Sequence, residues 1–70
     1  MTGERYEVHY KRPDGALIMP TRWRMLANAE WEAGIAAGNG LRVALVDRET
    51  KNVLAMLEPG ERLPSVTQLP

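Results

Sequence analysis

The chain contains no cysteine, one histidine, one serine and no net charge across its 70 residues. Each shortage removes a class of protein. Without thiols no disulfide can compensate for a thin core, and a structural zinc site has almost no ligands to draw on. With a single serine, Ser65, in a proline-containing tail, and a single histidine, His9, no nucleophile–base–orienter arrangement suggests itself. Nine basic residues balance nine acidic ones, so neither a globally basic nucleic-acid binder nor an acidic mimic is implied. No apolar run approaches the roughly 18 residues of a membrane span. Met1 to Arg5 lacks an apolar stretch behind a positive region, so no signal peptide is expected and the expected location is the cytoplasm. No glycine-rich loop has phosphate-cradle spacing, because Gly34, Gly38 and Gly40 fall at the end of a helical stretch rather than before one. Nothing here calls for a metal or a cofactor, and the chain is expected not to be an enzyme.

What remains is a chain of 44% hydrophobic composition, long enough for one domain and near the lower limit for an unaided core. Ordering it costs on the order of 100 kcal/mol. Small domains without a covalent or metal staple often gain stability by association, which makes a homodimer or a bound protein partner the starting expectation.

Tyr6, Val8 and Tyr10 alternate with Glu7, His9 and Lys11, the period of a half-buried strand. Pro13-Asp14-Gly15 supplies a turn, and Ala16 to Met19 a second short strand, giving a hairpin over 6–19. Pro20-Thr21 resembles a helix start with Thr21 as N-cap, so a helix is predicted from Arg22 to Ala37 carrying both tryptophans. On that helix Trp23, Leu26, Ala27, Ala33, Gly34 and Ala37 share one side, with Trp23 as anchor, Trp31 and Ile35 at the margin, and Arg24, Asn28 and Glu32 opposite. Glu30 falls near the centre of the apolar side, either as a stem with its head at an edge or as a titrating group in a pocket. Gly38-Asn39-Gly40 ends the helix. Leu41–Val46 and Val53–Leu57 read as a second hairpin around the polar connector 47–52.

The expected fold is therefore α+β: β-hairpin, helix, β-hairpin, with one helix on a mainly antiparallel sheet of three to four strands. Residues 1–58 form the domain, and 59–70 an extended or disordered tail. The functional expectation comes from the second hairpin, which is apolar on both sides although one helix can cover only one. Val43, Leu45, Leu54, Met56 and, on the helix, Trp31 are the candidate protein interface, unless Leu63, Val66 and Leu69 of the tail cover it. That points to a non-enzymatic interaction module, a small accessory or inhibitor-type protein of the kind phages and mobile elements encode. The alternative is a weak nucleic-acid-binding surface built from Lys11, Arg12, Arg22 and Arg24, which interleave with Trp23.

Overall fold

A computed structural model describes residues 3–61 of the chain. Four strands and one helix follow one another as β1 (Tyr6–Lys11), β2 (Leu17–Trp23), α1 (Leu26–Gly38), β3 (Arg42–Asp47) and β4 (Asn52–Leu57). The strands form one antiparallel sheet in the order β2-β1-β3-β4, so the two hairpins meet through their first strands. The helix lies across one side of this sheet, chiefly against β3 and β1. The α+β hairpin–helix–hairpin architecture read from the sequence is the one observed. The expected tail falls mostly on residues 62–70, outside the described residues.

The first turn forms as its residues dictate. Gly15 N–H donates to the Arg12 carbonyl at 2.8 Å, and the Asp14 carboxylate accepts from Ala16 N–H at 2.9 Å. Gly15 sits at φ 91°, a conformation that side chains with a Cβ resist. The helix ends on a Schellman motif. Leu41 N–H reaches the Ala36 carbonyl at 3.2 Å and Gly40 N–H the Ala37 carbonyl at 3.0 Å, with Gly40 left-handed at φ 95°.

The start of the helix corrects the sequence reading. Thr21 is not an N-cap and Trp23 is not helical: both belong to β2, where Thr21 lies opposite Val8 and Trp23 opposite Tyr6. Pro20 does not stop this strand. It sits on an outer strand, beside an irregularity in the β1–β2 register, where a missing N–H removes no required ladder bond. The helix instead begins at Leu26 after Met25, with no side-chain cap.

The buried face of the helix is also different from the one expected. Ala29, Ala33, Ala36 and Ala37 are the residues buried on the sheet. At about 100° per residue these share one stripe, and Trp31 lies roughly opposite its centre. Four methyl groups let the helix approach closely, and the core they cover is supplied by the strands: Val8, Tyr10, Val43, Leu45 and Leu57. Half-buried Tyr6, Trp23, Leu41 and Ala55 pack around it. The anchoring role expected of a helical Trp23 thus belongs to alanines on the helix and to aliphatic residues on β1 and β3. Glu30 is half-buried on the flank of the stripe.

Candidate functional site

Three clusters of polar side chains occupy the described residues, and each has a structural job. The first joins β1, β2 and α1. Tyr10 projects from the helix side of β1, and its hydroxyl donates to Glu32 Oε2 at 2.8 Å while lying 2.6 Å from Thr21 Oγ1. Trp23 Nε1–H donates to the same Thr21 oxygen at 2.8 Å. Since the tyrosine proton goes to the carboxylate, the threonine hydroxyl donates to the tyrosine oxygen. The bonds then run in one direction, from indole through threonine and phenol to carboxylate. Burial pushes the Tyr10 phenol up to about 12, with the Thr21 bond working against that and the Glu32 carboxylate for it. Glu32, expected on the outer side of the helix, is half-buried here.

The second cluster ties the N-terminal segment to the β3–β4 turn. Arg5 holds both oxygens of buried Asp47 in a fork at 2.8 to 3.1 Å. Asp47 Oδ1 also accepts from Glu49 N–H at 2.9 Å. The Arg5 hydrogen bond, opposed by burial, holds the Asp47 carboxyl down at about 2. The same turn places Lys51 at φ 67°, the one positive-φ residue other than glycine among those described.

The third cluster lies on the side of the sheet away from the helix. Glu7 accepts from Arg22 Nε at 3.1 Å and faces His9 Nε2 at 3.0 Å. Burial works to raise the Glu7 carboxyl, but the Arg22 and His9 hydrogen bonds outweigh it and leave it below the ordinary value. His9 itself is exposed, as a strand residue facing solvent should be.

The four cations expected to form one basic surface are not brought together. Lys11 and Arg12 sit at the turn end of the first hairpin, beside Arg42 and Pro59. Arg22 lies opposite Glu7, four residues back along β1, on the order of 13 Å from Lys11, and its charge is engaged by that carboxylate. Arg24 turns away to lie against Gly3. Arg12 and Arg42 are themselves paired, with Asp14 at 3.5 Å and Glu58 at 3.0 Å.

The five candidate interface residues also separate. Val43 and Leu45 are 1% exposed and lie under the helix, so they belong to the core and not to a free surface. Alternation along β3 puts Ala44 and Val46 on the open side instead, both half-buried. Their neighbours across β3–β4 are Met56 and Val53, 64% and 57% exposed. Leu54, the extra residue at the irregularity between Leu45 and Val46 in the β3–β4 register, is exposed as well. Trp31 is 54% exposed on the outer face of the helix, one turn from exposed Ile35.

Exposed apolar side chains lie on the β3–β4 half of the open side, on the Trp31–Ile35 ridge and at Met25 and Leu26 where the helix starts. β2 adds exposed Leu17 and Met19. Among the described residues no group of histidine, cysteine, aspartate or glutamate could hold a metal ion, and no helix is long and apolar enough to cross a membrane. A comparison of the chain with protein-family models, curated proteins and solved structures finds no match.

Proposed function

We propose that this chain is a non-enzymatic protein-interaction module, of the small accessory or inhibitor type, which binds protein through the β3–β4 half of its open sheet side. The observation that carries this reading is the pairing of Val46 with Val53 and of Ala44 with Met56 on the side the helix does not cover. A sheet with one solvated side alternates apolar with polar residues, as β1 does with Glu7, His9 and Lys11. β3 and β4 break that rule over adjacent positions, which is the composition of a surface meant to be covered. The polar clusters support the same reading: each perturbed carboxyl or phenol is accounted for by burial and by hydrogen bonds that hold the fold together. A chain free of cysteine suits a reducing compartment such as the cytoplasm.

Site-specific photo-crosslinking in the native host tests the proposal. A benzophenone side chain at Met56 should yield protein adducts, and the same group at His9 should yield none or far fewer. Equal yields at the two positions, or none at Met56, would overturn the reading.

A further inference from the structure

The sheet has two outer strands, and they are built differently. β2 contains Pro20, which has no N–H to offer a neighbouring strand, is bent by a register irregularity, and carries Arg22. Of these features β4 shares only the register irregularity, at Leu54. From Asn52 to Leu57 it contains no proline and no charge, and Val53, Leu54 and Met56 are exposed along it. Natural sheets guard their edges with lysine, proline or a covering segment, and an apolar edge left bare is a template for another strand. The chain that follows β4 does not supply the cover at its root. Gly60 N–H donates to the Ala37 carbonyl at 2.7 Å, which ties the segment after β4 to the C-terminal end of the helix.

From these observations we infer that β4 pairs antiparallel with β4 of a second copy, extending two four-stranded sheets into one of eight strands. This rests on the interaction-module reading and names a second copy as the partner at the β4 edge, in the plane of the sheet rather than on its open side. A two-fold axis perpendicular to the sheet sets each residue of β4 against a residue of the same strand in the other copy, so any charge near the axis would meet its own kind. The uncharged run 52–57 satisfies that condition, whereas β2 would bring Pro20 and Arg22 to the junction. Of the registers a two-fold allows, centring on Ala55 sets Leu54 of each copy opposite Met56 of the other and Asn52 opposite Glu58. Shifting the centre to Leu54 would set Met56 against Asn52, and shifting it to Met56 would set Leu54 against Glu58. The Ala55 register therefore matches apolar residues with apolar ones, and cross-strand pairs of that kind are what stabilise a sheet junction.

The absence of cysteine makes this register directly measurable. Residues facing each other across an antiparallel junction have Cα atoms about 4.5 to 5.5 Å apart, within disulfide range. Under mild oxidation Ala55→Cys should form a disulfide-linked dimer at least ten times faster than Leu17→Cys on the opposite edge. Light scattering of the unmodified chain should give twice the 7.8 kDa chain mass at high concentration, falling on dilution. Leu54→Lys should stay at one chain mass with an unchanged far-ultraviolet spectrum, and Leu17→Lys should still dimerise. A single-chain mass at every concentration, or equal oxidation rates at positions 55 and 17, would overturn the inference. If that failure came with protein adducts at Met56 to other proteins, the interaction-module reading would stand while the second copy fell. If no adducts formed at Met56 either, both would fall.

Discussion

On the open side of the sheet, β1 and β2 set Glu7 between Arg22 and His9, whereas β3 and β4 set Ala44 and Val46 beside Met56 and Val53. The helix side repeats the contrast. There the first hairpin contributes a directed hydrogen-bond chain through Tyr10 and Thr21, and the second contributes Val43, Leu45 and Leu57, all buried. The first hairpin answers its own polar groups within the chain and carries a guarded edge. The second supplies aliphatic core on one side and leaves aliphatic surface on the other. In a domain this small, a hairpin apolar on both sides is hard to explain by folding alone, because only one side has a helix to meet.

Mutations sharpen that comparison, and the largest effect is expected on the buried side of the second hairpin. Leu45→Ala removes one of the three largest fully buried side chains and should cost about 2–5 kcal/mol, enough to unfold much of the population. Val46→Thr, one position along on the open side, should cost under about 1 kcal/mol. Urea denaturation of the two variants measures the contrast, and equal costs would mean that both sides of β3 are covered within one chain.

In the first hairpin the polar chain should dominate. Tyr10→Phe keeps the ring and removes the hydroxyl between Thr21 and Glu32, with an expected loss of about 1–2 kcal/mol. The alkaline limb follows from the same group. A phenol raised to about 12 contributes stability that is fully present below its ordinary value of 10.0 and is lost as pH rises through 12. The Phe variant should show a flatter alkaline limb.

The two hairpins are also expected to differ in acid. Asp47 caps the second turn, and a carboxyl lowered to about 2 contributes stability that is present above its ordinary value of 3.8 and is lost as pH falls through 2. Asp47→Asn keeps a side-chain acceptor for Glu49 N–H but loses the charge that Arg5 holds. Its urea midpoint should drop at neutral pH and converge on that of the unmodified chain near pH 2, as followed by circular dichroism.

The smallest effect should come from the same turn. Lys51 adopts φ 67° at the entry to β4, and Lys51→Gly should raise stability by up to about 1 kcal/mol by relieving that conformation, less the entropy cost of glycine. A lower melting temperature for this variant would show that the lysine side chain contributes more than its backbone costs.

Much of the fold was legible because its punctuation is local. Pro13-Asp14-Gly15 and Gly38-Asn39-Gly40 encode their turn and helix end in a few residues, and the period of β1 needs no partner to be read. Pro20-Thr21 misleads for the opposite reason. Its local signal is that of a helix start, but pairing with β1 carries β2 through to Trp23. The helix face was obscured by its composition: Ala29, Ala33, Ala36 and Ala37 differ little in hydropathy from the rest of a mostly apolar helix, so the pattern offers weak contrast. The sequence does not separate Val43 and Leu45 from a free surface, because alternation shows that a strand has two sides without saying which one the helix covers. Tyr10, Thr21 and Glu32 come from three elements, and no spacing links them. The available signal was chemical: a tyrosine on a buried strand face needs a partner for its hydroxyl. Asp47 was visible as the first residue of a polar connector, but its long-range bond to Arg5 was not.

A second hairpin completed by a partner strand, beside a first hairpin that is not, would show in the protection of its backbone amides. Amide hydrogen exchange at dilute and concentrated protein tests it residue by residue. The β4 amides should exchange more slowly as concentration rises, while those of β2 should not change. Concentration-independent exchange along β4, or slowing along β2 instead, would contradict it.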